Sequence, residues 1–168
     1  RIIADDVCVV RFDDQARALA EPGLPRLRLW REALERTGRD CSQFLHSYAS
    51  ADDWPKFDVP LGSDRIAKTA TEIAAVYLLE RGDRLAVSEL RGVSAAEAIF
   101  ANTYRGSEVL RSGRPRAHWE ACLRLIESVP LFRLRRPWDH ERMEANGHAI
   151  AEHARGTIRN GRKYCRTG

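Results

Sequence analysis

Apolar and polar positions read as strands and turns in the first part of the chain and as helices in the last. Ile2 to Ala4 and Val7 to Phe12 are apolar and β-branched, which predicts two strands separated by the Asp5-Asp6 pair. Asp13-Asp14-Gln15 has the chemistry of a hairpin turn, and Ala16 to Ala20 returns along it. Glu21-Pro22-Gly23-Leu24-Pro25 is a rigid loop that delivers Arg26 and Arg28 onto an alternating stretch ending at Leu29-Trp30. A short helix from Arg31 to Arg36 should stop at Thr37-Gly38, glycine being the usual residue past a helix end. Ser47 to Pro60, with Trp54 and Lys56, fits either a long functional loop or a short strand from Lys56 to Val59.

Strands are expected at Ile73 to Leu79 and Leu85 to Leu90, joined by the turn Glu80 to Arg84. Ser94, with Glu97 three residues on, predicts a capping box for a helix from Ala95 to Tyr104. Trp119, Cys122, Leu123 and Ile126 recur at helical spacing between His118 and Ser128. Val129 to Leu134 reads as a further strand, with Pro130 marking its start or an edge. A final helix is expected from Asp139 to Ala154, and residues 155–168 form a basic tail without periodicity, read as disordered or vector-derived. The whole predicts an α/β fold with a mixed central sheet and flanking helices, one domain over residues 1–154.

Composition adds little beyond class. At 168 residues and 43% apolar content the chain can build one real core. No apolar run approaches the roughly 20 residues that cross a bilayer, and the start lacks a signal-peptide pattern. The chain opens on Arg1 immediately before an apolar strand, so it is expected to be a piece of something longer. Cys8, Cys41, Cys122 and Cys165 are widely spread, which predicts reduced structural thiols in a cytoplasmic protein. The net charge is +4, and the lysines are only Lys56, Lys68 and Lys163. Arginine recognises carboxylate and phosphate through a planar fork, so phosphate-bearing partners suit this surface. A coding bias toward Arg explains the same composition.

The Asp5-Asp6 pair carries the most chemistry. Ionised carboxylates at the end of a buried strand cost several kcal/mol unless a cation or hydrogen-bond donors compensate. In phosphoryl-transfer sites such an Asp holds Mg²⁺, and a second one beside it accepts the acceptor hydroxyl's proton. A solvated turn between two strands accounts for the same residues.

Arg1-Ile2-Ile3-Ala4-Asp5-Asp6-Val7-Cys8-Val9-Val10 resembles the segment that follows the phosphate-binding loop and helix in the HPr kinase/phosphorylase family. Pro22-Gly23-Leu24-Pro25-Arg26-Leu27-Arg28-Leu29-Trp30 is similar to a stretch of HPr-kinase-related proteins from bacterial gene clusters. Lys56-Phe57, Ala75 to Glu80, Glu97-Ala98, Asn102 to Arg105 and Val129 to Pro137 follow in the same order, so the likeness spans residues 1 to 145. The resemblance implies the fold shared with phosphoenolpyruvate carboxykinase. It also implies a cytoplasmic Mg²⁺-dependent kinase that moves phosphate from ATP to a serine of a small protein or peptide, and it is compatible with a homo-oligomer. By the same resemblance Asp5 and Asp6 are the metal-and-base pair. Arg26, Arg28 and Lys56 become candidates for holding phosphates or the acceptor, with Arg105, Arg133 and Arg136 behind them. An exposed strand face with ordinary surface cations is the competing reading.

One departure stands out. The family needs a loop of the form G-x-x-x-x-G-K-[ST], whose backbone N–H groups cradle the phosphates, and these residues contain none. That loop is expected just before Arg1, so the chain is expected to carry half a site and to bind ATP poorly. The alternative is a noncatalytic peptide- or phosphate-binding module of the same fold.

Two further motifs are weaker. Asp40-Cys41-Ser42-Gln43-Phe44 is similar to the nucleophile segment of bacterial cell-wall cysteine peptidases, but no His sits in an apolar strand to activate it, and a structural Cys41 is expected. His140, His148 and His153 fit a solvated helix, since a spacing of five does not align two ligands on one face. Tyr and Trp residues do not alternate with basic ones, so no specific nucleic-acid surface is expected; the basic tail offers only nonspecific phosphate contacts.

Overall fold

The computed structural model describes residues 1–47, 55–111, 113–139 and 141–164. Its strands are β1 (Val10–Phe12), β2 (Ala18–Ala20), β3 (Arg26–Trp30), β4 (Leu45–His46), β5 (Lys56–Pro60), β6 (Thr71–Glu72), β7 (Val76–Arg81), β8 (Ala86–Leu90) and β9 (Leu131–Arg136). The helices are α1 (Arg31–Arg36), α2 (Gly92–Ala101), α3 (Gly106–Arg111), α4 (Pro115–Ser128) and α5 (Met143–Tyr164). The α/β class is as expected. The single central sheet is not: among the described residues the strands form three sheets of three strands, in the orders β1-β2-β6, β3-β5-β4 and β7-β9-β8. The chain divides into two compact units, Arg1–Gln15 with Leu19–Glu72, and Ala16–Ala18 with Ile73–Gly168.

In the first unit, β3 and β5 are antiparallel with Arg28 opposite Asp58, Leu29 opposite Phe57 and Trp30 opposite Lys56. Strand side chains alternate between faces, so this register sorts them. Leu27, Leu29, Phe57 and Val59 face a small core completed by Leu34 of α1, with Cys41 and Phe44 at its margin. Arg26, Arg28, Trp30, Lys56 and Asp58 fall on the other face. Burying Leu34 and Phe57, at 0% and 2% exposure, stabilises the unit by about 1.5–3 kcal/mol each. Helix α1 ends as predicted: Gly38 takes φ +68°, and Arg39 N–H reaches back to the Leu34 carbonyl at 2.9 Å.

The opening segment differs from its sequence reading. Ile2 makes only an isolated parallel bridge to Ile66, and pairing resumes at Val10. Val7 and Val9 are 40% and 62% exposed, so apolar character here does not signal a buried strand. Asp5 and Asp6 therefore lie on an exposed bend and not at a buried strand end. The turn that follows is as predicted, Gln15 N–H donating to Asp13 Oδ1 at 3.0 Å.

In the second unit, β9 lies between β7 and β8, parallel to β7 and antiparallel to β8. The two strands joined across Glu80 to Arg84 are therefore not neighbours in the sheet. Leu131, Phe132 and Leu134 are 3%, 9% and 1% exposed, and these three apolar side chains gain most from the centre of the sheet, whereas Arg133, Arg135 and Arg136 of the same strand stay half-buried or exposed. One face packs Leu90, Ala95 and Leu131 with Val76, Leu78, Ala98, Ile99 and Ile126. Helix α2 starts at Gly92, φ +55°, and Ser94 Oγ donates to the Arg91 carbonyl at 2.9 Å in place of the expected N-cap. Helix α5 begins later than predicted and continues past Ala154 to Tyr164, into residues read as an aperiodic tail. Among the described residues no helix is long and apolar enough to cross a membrane.

Candidate functional site

The charged face of β3 and β5 in the first unit collects most of the sequence-predicted residues. The bend carrying Asp5-Asp6 lies against the outer edge of β3, where Asp5 Oδ2 accepts the backbone N–H of Arg28 at 2.6 Å. Among the described residues β3 pairs with β5 on one side only, so this carboxylate satisfies a donor that a sheet edge leaves open. Asp6 Oδ2 faces Lys56 Nζ at 3.4 Å, and the same ammonium sits 4.7 Å from the Trp30 ring centroid. Lys56 is thereby fixed between a carboxylate and an aromatic face.

A cleft of about 240 Å³ opens here, lined by Asp5, Asp6, Val7, Gly23, Leu24, Arg26 and Arg28. Gly23 closes its floor: its N–H donates to the Ile3 carbonyl at 2.7 Å, and an added Cβ would stand 3.2 Å from the Ala4 Cβ. Val7 and Leu24, both exposed, give the cleft an apolar rim beside its charges. Behind the arginines, Asp58 Oδ2 pairs with Arg26 Nη1, and Asp58 Oδ1 lies 3.5 Å from Arg28 Nε. Asp5, Asp6, Arg26, Arg28 and Lys56 are thus brought together. Three carboxylates and three cations make the cluster neutral overall once Asp58 is included.

Other candidates are engaged elsewhere. Arg105 belongs to the second unit, where it pairs with Glu108 at 3.2 Å and lies 5.3 Å from the Tyr104 ring centroid. It is a surface cation at the start of α3, with φ +52°, and does not line the cleft. Arg133 is held by Glu80 at 2.8 Å, and Arg136 donates to the Pro137 carbonyl. Glu80 also binds Arg135 at 3.1 Å, and these arginine hydrogen bonds, that of Arg135 foremost, hold its carboxyl below the usual range. Cys41 packs on the core of the first unit, as a structural thiol does. Burial pushes the Cys122 thiol up, although His118 Nε2 lies 3.4 Å from its sulfur. His153 Nδ1 is hydrogen-bonded to the Tyr77 hydroxyl at 2.8 Å, and His148 donates to the Glu144 carbonyl. Trp54, His140 and Cys165 lie outside the described residues.

Sequence reasoning missed Asp58. The signal was available in two alternating stretches, Arg26 to Trp30 and Lys56 to Pro60, whose pairing sets Asp58 opposite Arg28. No family model, no curated protein and no solved structure matches this chain.

Proposed function

We propose that the chain carries the metal- and acceptor-side half of an HPr-kinase-like, ATP-dependent serine kinase acting on a protein or peptide. The observation that supports this reading is the convergence of Asp5 and Asp6 with Arg26, Arg28 and Lys56 around one open cleft. Among the described residues no three His, Cys, Asp or Glu side chains form a cage for a metal. Two adjacent carboxylates instead suit Mg²⁺, which is commonly held by one or two carboxylates with the substrate's phosphates. Such an ion would neutralise charge on the transferring phosphoryl group. Asp5, fixed by the Arg28 N–H, is the metal ligand in this reading, and Asp6, more loosely paired, is the base for the acceptor hydroxyl. Arg26 and Arg28 bind phosphate oxygens, and Lys56 holds Asp6 in place. The exposed Val7 and Leu24 supply apolar contact for the residues flanking an acceptor serine.

A noncatalytic phosphate- or peptide-binding module is the second reading, favoured by the absence of any G-x-x-x-x-G-K-[ST] in these 168 residues. Phosphoryl transfer by the full-length gene product separates the two. The kinase reading expects Mg²⁺-dependent transfer from ATP that falls at least 100-fold in both Asp5→Asn and Asp6→Asn, a loss of about 2.7 kcal/mol or more in transition-state stabilisation. Wild-type transfer in both variants would overturn the site assignment. No transfer by the unaltered protein would leave the binding module.

A further inference from the structure

Arg26 and Arg28 stand two residues apart on one strand, so their side chains share a face and their like charges push them apart. Asp58 opposes that. It lies directly across from Arg28 in the β3–β5 register; its Oδ2 accepts a hydrogen bond from Arg26 Nη1, and its Oδ1 lies 3.5 Å from Arg28 Nε, a charge pairing without a hydrogen bond. The three side chains are 21–31% exposed, so solvent screens the arrangement only in part. Asp58 sits on β5, the middle strand of its sheet, which is the most constrained place for such a clamp. Arg26 and Arg28 line the cleft, whereas Asp58 does not.

We propose that Asp58 is a positioning residue that holds Arg26 and Arg28 side by side from behind the cleft, as a receptor for phosphate oxygens. The proposal rests on the phosphate-site reading above and adds to it the residue that shapes the receptor. A planar guanidinium binds phosphate well only in the right orientation, and the partner that fixes the orientation governs affinity without touching the ligand. A carboxylate that instead occupied the arginines' ligand-facing N–H groups would act oppositely, as a rival to phosphate; Asp5 and Asp6, which also line the cleft, are bonded to the Arg28 backbone N–H and to Lys56.

The two roles differ in sign, which makes the test decisive. Inorganic pyrophosphate is titrated into the 168-residue chain, and binding is followed through the Nε–H resonances of Arg26 and Arg28. Saturable shifts of both are expected in the unaltered protein. Asp58→Asn keeps the shape and one acceptor oxygen, and it should bind pyrophosphate about tenfold more weakly although a repelling charge has gone. The amide spectrum of Leu27, Leu29, Phe57 and Val59 should stay in place, which separates lost positioning from lost structure. Asp58→Ala should weaken binding at least as much, and where it disturbs those amides the Asn variant alone is read. Equal or tighter binding by Asp58→Asn overturns the positioning role and leaves the phosphate site standing. An unaltered protein that shows no shift at either arginine overturns both.

Discussion

Leu34 tests whether the small core of the first unit supports the charged face. Its side chain is fully buried between Phe57 and Val59, with Leu27 and Leu29 of β3 packed alongside. Leu34→Ala removes three carbons, about 2.4 kcal/mol at about 0.8 kcal/mol each. The partly collapsed cavity raises the total to about 3–4 kcal/mol. A whole domain commonly holds about 5–15 kcal/mol, so this is a large share of the available stability. Leu34→Met conserves volume and should cost under about 1.5 kcal/mol. Urea unfolding, read by amide exchange at Leu27, Leu29, Phe57 and Val59, measures both variants on the strands that matter. An Ala variant within about 1 kcal/mol of the unaltered protein, or no worse than the Met variant, would refute this core as the support of β3 and β5.

Two predictions concern the second unit. Glu80 has its carboxyl lowered by hydrogen bonds from Arg135 and Arg133, so its contribution is present above the ordinary glutamate range and is lost as pH falls through the depressed value. Glu80→Gln should flatten the acid limb of thermal stability against pH, and an unchanged slope would contradict the assignment. Tyr77→Phe removes the hydroxyl bonded to His153 and should cost about 0.5–1.5 kcal/mol in denaturant unfolding. Because burial raises the Tyr77 phenol, its contribution is complete below the ordinary tyrosine range and is lost as pH rises through the raised value. The Phe variant should lack that alkaline loss; a Phe variant as stable as the unaltered protein removes the argument.

How much of this was legible in the sequence depended on range. Local chemistry was readable: the Asp13 turn, the Gly38 helix stop and the strand at Arg26 to Trp30 all follow from residues within a few positions of one another. Pairing was not. Nothing in Ile73 to Leu90 says that Leu131 to Arg136 will insert between its two strands, because that choice is made by burial across some 50 residues. Ile2-Ile3 and Val7 to Val9 read as strands from their β-branched residues, but Ile2 makes only an isolated bridge and Val7 and Val9 stay exposed, because residue type alone does not say whether an extended segment finds a partner. Within the site, Asp5, Asp6, Arg26, Arg28 and Lys56 were found as residue types, but Asp58 emerged only from register. Arg105 was drawn in by sequence order and belongs to the second unit, paired with Glu108.

The kinase reading places a divalent cation on Asp5, with Asp6 beside it as the base, in company with phosphate at the cleft of the first unit. Paramagnetic Mn²⁺, standing in for Mg²⁺, broadens amide resonances near wherever it binds. With pyrophosphate present, broadening should centre on Asp5, Asp6 and the neighbouring Gly23 and Arg28, and it should vanish in Asp5→Asn/Asp6→Asn. Broadening centred elsewhere, or left intact in the double variant, would contradict the claim.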